Sequence, residues 1–173
     1  MRAAVTDRRL EAVAGPLLTS RTTAGTTPVA LDDPMVDRTL YAVADIRDYA
    51  TSWRTIARLG TGYTTGALTL FTAGAPYPIV NGRFDTASGT ANLVANISMT
   101  GVPFGPEVFW IQIGSGMSLG QAGSRKASAQ VAVTPGAGMQ NADLTLMSPS
   151  SGCTPLWCGA YLGAHDATTR ARI

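Results

Sequence analysis

Val108-Phe109-Trp110-Ile111-Gln112-Ile113 is a short run that is nearly all apolar. A strand with one wet face alternates apolar and polar residues, so a run like this one suits a central strand covered on both faces. On either side of it, short apolar or alternating runs are separated by breakers, among them Pro76, Pro78, Gly82, Gly89, Gly101, Pro103, Gly105 and Pro106. Val131, Val133, Leu144 and Leu146 show the alternation of half-buried strands. The predicted strands are 52–58, 67–73, 78–84, 91–99, 107–113, 127–134, 142–147 and 157–163. Strands at this spacing point to a sandwich or barrel. The 19 glycines and 10 prolines argue against the long helices of a parallel α/β sheet.

The N-terminal third reads differently. Thr6 and Asp7 can cap a short helix ending at Ala14, where Gly15-Pro16 stops it. Residues 16–33 are rich in Thr, Gly, Pro and Ala and read as an extended arm. Asp33-Pro34 is a good helix start. Val36, Leu40, Val43, Ile46, Tyr49 and Trp53 then recur at a spacing close to a helical period, which predicts a helix over 34–48. The β-formers Thr39, Tyr41 and Val43 in the same stretch support a strand over 39–46 instead. The expected architecture is mainly β: an antiparallel β-sandwich, jelly-roll-like with about eight strands and one or two short helices. The arm, 1–33, precedes a single sandwich domain over 34–173.

Charge narrows the function. Charged residues make up 14% of the chain, against about 25% in a typical domain. Residues 59–124 carry only Arg83, Asp85 and Glu107. A net charge of +2, with Arg8-Arg9 and Arg125-Lys126 as the only basic doublets, leaves no stripe for nucleic acid. The N-terminus lacks the apolar core of a signal peptide, and no run approaches the roughly 18 apolar residues of a membrane span. Cys153 and Cys158 with His165 cannot complete a structural zinc site. The expectation is two buried free thiols; a small disulfide loop is the alternative in an oxidising compartment. No cofactor is expected: there is no G-K-[ST], and Gly114, Gly116 and Gly120 miss the dinucleotide spacing.

One motif matches a catalytic pattern. Gly116-Met117-Ser118-Leu119-Gly120 reads G-x-S-x-G, with Asp143 and His165 following in α/β-hydrolase order. Ser118 would be the nucleophile, His165 its base and Asp143 the orienting acid. Gly120 and Gly123 interrupt the helix such an elbow requires, and residues 60–106 offer no crossover helices. The segment therefore reads as a Gly-rich loop between strands. The aromatics Trp53, Trp110, Trp157, Tyr63, Tyr77 and Tyr161 can line a sugar-binding face. Trp110, in the most apolar strand, is expected in the core.

The charge-poor body, the arm and the scarcity of catalytic residue types lead to the main functional expectation. It is a non-enzymatic, structural shell component: a small capsid protein or a capsid-decorating protein, located in a virion. Its partners would be copies of itself or other shell proteins. The alternatives are a carbohydrate-binding or adhesion module, marked by a row of aromatics on one sheet face, and a serine hydrolase using Ser118.

Overall fold

The computed structural model of the chain describes residues 17–30, 37–47, 54–60, 67–73, 79–85, 92–98, 105–113, 116–121, 126–127, 131–132, 141–150, 152–163 and 165–170. The strands among them pair into two antiparallel sheets. The first sheet runs in the order β1 (Leu17–Arg21), β13 (Cys153–Leu162), β3 (Arg38–Ile46), β8 (Gly105–Ile113), β9 (Gly116–Gln121) and β10 (Lys126–Ala127). The short β11 (Val131–Ala132) also pairs with β9. The second sheet runs β2 (Gly25–Ala30), β12 (Asn141–Leu146), β4 (Arg54–Leu59), β5 (Leu68–Ala73), β6 (Ile79–Asp85) and β7 (Asn92–Ser98). One short helix, α1 (Ala167–Arg170), lies near the C-terminus.

The sheets face each other across an apolar core, as expected for a β-sandwich. Leu40, Ala42, Ala44 and Ile46 of β3 and Phe109, Ile111 and Ile113 of β8 point into it. Leu68 and Leu70 of β5 and Leu144 and Leu146 of β12 meet them from the second sheet. All are at most 3% exposed, so the odd or even residues of each strand define its inner face.

Three expectations are corrected. Residues 38–46 form strand β3 and not a helix, in line with the alternative reading of 39–46. The strand misleads because its outer residues Thr39 and Tyr41 are as buried as its inner ones. With both faces covered, alternation is lost and the apolar spacing imitates a helix. Residues 17–30 are not an extended arm. β1 pairs with β13 and β2 with β12, so the sandwich includes at least Leu17 onward. Pro28 is tolerated because β2 is an edge strand, whose unpaired side needs no N–H. Residues 116–121, expected as a loop, form β9. The expected helix up to Ala14 lies outside the described residues.

Both cysteines are free and buried on β13. Cys153 is in register with Ile46 and Cys158 with Ala42, four residues apart along β3. At about 3.3 Å per residue they are separated by roughly 13 Å, well beyond the reach of a disulfide. Burial pushes the Cys153 thiol up to about 11 and the Cys158 thiol up to about 12. Each folded value lies above the ordinary value of 9.0, so the stabilising contribution is complete below about pH 9 and is lost as pH rises toward 11–12. We therefore expect iodoacetamide to leave both thiols unmodified in the native protein at neutral pH. Both should react after denaturation, and stability should decline progressively above pH 9. Mass spectrometry and denaturation curves at several pH values check this.

Candidate functional site

The outer face of the second sheet carries a straight cross-strand row. Thr26 of β2 is in register with Thr145 of β12, and Thr145 with Arg58 of β4. Arg58 is in register with Thr69 of β5, and Thr69 with Arg83 of β6. Neighbouring strands lie about 4.8 Å apart, so the backbones at Arg58 and Arg83 stand roughly 10 Å apart with Thr69 between them. A bulge between Thr55 and Ala57 in β4 sets this facing. It lets Ala57 and Leu59 point into the core while Arg58 points out.

The adjoining row supplies Thr55, Phe71 and Asn81, again in register. Asp143 lies on the same outward parity of β12, one row beyond Thr145. The face therefore combines two guanidiniums, several hydroxyls, an amide, a carboxylate and one aromatic ring. The hydroxyls of Thr26 and Thr145 share a hydrogen bond of 3.2 Å. The buried Thr69 Oγ1 and Asn81 Oδ1 have no protein hydrogen-bond partner among the described residues. Buried polar atoms normally find a partner, and a pair without one beside two cations marks this face out. Sequence reading missed it. Arg58 and Arg83 are 25 positions apart, and only strand register joins them. The available signal was Arg83 itself, the sole basic residue of the charge-poor stretch 59–124.

The outer face of the first sheet is aromatic. Tyr41 is in register with Trp110, and Gly159 and Gly120 continue the row on either side. Trp110 is therefore outside the inter-sheet core, contrary to expectation, though only 4% exposed. Trp157 is half-buried on the same face. Trp53, Tyr63 and Tyr77 lie outside the described residues. The C-terminal segment covers part of this aromatic face. His165 packs on Tyr41 and Tyr161 at 5.4 Å between ring centroids, and the Tyr41 hydroxyl and His165 Nδ1 are 2.7 Å apart.

The hydrolase residues do not assemble. Ser118 lies within β9, not at a strand-to-helix turn, and its register neighbour is Gln112. Asp143 stands on the opposite sheet, and His165 Nδ1 is engaged by Tyr41. We expect Ser118→Ala to shift stability by no more than about 1 kcal/mol. A fluorophosphonate probe should leave the wild-type residue unlabelled; thermal shift and mass spectrometry check these outcomes. No group of three or more His, Cys, Asp or Glu among the described residues is placed to hold a metal ion. No helix among them is long and apolar enough to cross a membrane.

No family model and no curated protein matches the chain. Solved structures do match. The CBM40 of the Ruminococcus gnavus IT-sialidase, bound to alpha2,3 sialyllactose, superposes with a TM-score of 0.60 at 11% identity, covering 90% of this chain and 98% of that one. The leech intramolecular trans-sialidase, complexed with 2,7-anhydro-Neu5Ac, gives 0.59 at 10% identity over 90% of this chain and 27% of its own. The NanB sialidase of Streptococcus pneumoniae gives 0.62 at 8% identity over 91% of this chain and 28% of its own. The chain thus spans about a quarter of each of these two sialidases and nearly all of the isolated module. At such identities the likeness is one of fold: this chain is an antiparallel β-sandwich of the kind seen in the sialidase CBM40 modules.

Proposed function

We propose that this domain is a non-catalytic carbohydrate-binding module that takes an anionic sugar on the outer face of its second sheet, between Arg58 and Arg83. The cross-strand row Arg58–Thr69–Arg83 carries the reading. A guanidinium is planar and always charged, and it pairs with a carboxylate through two parallel hydrogen bonds. Two of them in one cross-strand row suit a sugar acid, whose carboxylate sits between the cations. Side chains on paired strands are held more rigidly than side chains on loops, which lowers the ordering cost of binding.

The fold neighbours support the same class. The Ruminococcus gnavus CBM40 is bound to alpha2,3 sialyllactose in one structure and to alpha2,6 sialyllactose in another. They favour carbohydrate binding over the shell-protein expectation, for which the comparisons offer no support. The charge-poor body fits this reading, because a sugar face is built largely from hydroxyls and amides.

The test is calorimetric titration with 3'-sialyllactose and with lactose. Charge-assisted hydrogen bonds contribute about 1.5–3 kcal/mol, so sialyllactose should bind roughly 10- to 100-fold more tightly. Its affinity should fall as salt is added. Equal affinity for the two sugars, or none for either, would overturn the reading.

A further inference from the structure

We infer that the outer face of the first sheet is a second sugar site, for the flat apolar face of a neutral pyranose, and that the C-terminal segment His165–Arg170 closes it as an intramolecular ligand. The platform comes first. Gly120 follows Trp110 across the sheet, and a Cβ at Gly120 would collide with the indole. Gly159 meets Trp157 in the same way. Both indoles therefore lie down against glycine backbone, and the ring of Trp110 turns one flat face away from the sheet.

What covers that ring resembles a ligand. The Arg170 guanidinium carbon sits 4.2 Å from the Trp110 ring centroid. Arg170 Nη1 donates to Gln112 Oε1 at 3.0 Å and to the His165 carbonyl oxygen. Arg170 thus offers a planar group that stacks and an edge donor for the side-chain carbonyl beside the ring. A pyranose offers the same pair of features, a flat face of C–H groups and a ring of hydroxyl donors.

The cover is built as a local flap. Gly163, at φ 94°, turns the chain back over the sheet directly after β13 ends. Its N–H donates to the Asp37 carbonyl at 2.6 Å, and its carbonyl accepts from Thr39 Oγ1 at 2.8 Å, so the turn stays pinned. Beyond the turn, α1 has four residues, capped by Asp166 Oδ1 accepting from Thr169 N–H at 2.7 Å. The segment is held over the sheet by a few local contacts, which can break without disturbing the strand pairing. The apolar face also continues past it, because Trp157, Val43 and Val108, in register with one another, are half-buried where Tyr41 and Tyr161 are fully covered.

The experiment compares the full chain, Arg170→Ala and a form ending at Gly163. Each is titrated with cellohexaose, maltohexaose, mannohexaose and xylohexaose, followed by tryptophan fluorescence and calorimetry. A site closed most of the time loses apparent affinity in proportion to its open fraction. Arg170→Ala and the shortened form should therefore bind at least one of these sugars about 10-fold more tightly than the full chain. Adding Trp110→Ala should abolish that gain. Affinities within about 2-fold of the full chain in Arg170→Ala, with an unchanged circular dichroism spectrum, would overturn the inference. Arg170→Ala decides the question alone if the shortened form does not fold. Sialyllactose binding should be the same in all folded variants, so failure here is distinguishable from failure of the Arg58–Arg83 site.

Discussion

Replacing Arg58 and Arg83 together by alanine should abolish sialyllactose binding, with a loss of at least about 100-fold in affinity. Each guanidinium is expected to contribute a charge-assisted contact of about 1.5–3 kcal/mol, and two such contacts account for that loss. Single alanine variants should lose roughly 10-fold or more. Arg58→Lys should recover only part of the affinity, since an ammonium keeps the charge but not the two-pronged geometry. Both side chains point away from the inter-sheet core, so the variants should stay folded by circular dichroism. Arg47, exposed and paired with Asp45 at 2.8 Å on the other sheet, is the control, and Arg47→Ala should bind as the wild type does. Retained affinity in the double variant, measured by calorimetry, would remove the Arg58–Arg83 row from the account.

The largest expected effect on stability belongs to the inner face of β8. Phe109 is fully buried in the central strand that joins β3 to β9, and it points at the second sheet. Phe109→Ala removes a large apolar side chain and leaves a cavity that rigid strands cannot close. The expected cost is about 3–5 kcal/mol. For a chain of this size that corresponds to a fall in Tm of roughly 6–20 °C. Leu156→Ala is the matched control, because Leu156 is 40% exposed and its truncation should cost less than about 0.5 kcal/mol. Urea denaturation of both variants checks the contrast.

Several elements were legible in the sequence for physical reasons. Val108–Ile113 announced a central strand because both of its faces are covered, and Leu144 and Leu146 alternate because only one side of β12 meets the core. Where the usual signal failed, a specific contact explains it. β3 imitated a helix because the C-terminal segment buries Tyr41 on what would otherwise be its wet face. β9 looked like a loop because Gly120 is needed beneath the Trp110 ring, a requirement that appears only once the two strands are paired. β1 and β2 are short edge strands, LLTSR and GTTPVA, in which apolar residues stand side by side and do not alternate, so they carry almost no periodicity.

The candidate site was less legible than the fold. Its residues come from β2, β4, β5, β6 and β12, and no local spacing links Thr26, Arg58, Thr69, Arg83 and Thr145. The G-x-S-x-G match stood out in sequence because its residues are adjacent, yet its supposed partners lie on opposite sheets. The aromatic residues were a sounder clue. Trp110, Trp157 and Tyr161 do share one sheet face, but the part of it at Tyr41, Tyr161 and Trp110 is under the C-terminal segment.

The central claim is that an anionic sugar binds across Arg58 and Arg83. Amide chemical-shift mapping of the full chain during titration with 3'-sialyllactose tests it most directly. The account predicts saturable shifts centred on Arg58, Thr69 and Arg83, extending to Asn81 and Thr145, with the first sheet unperturbed. Shifts confined to the first sheet, or no saturable shifts, would contradict it.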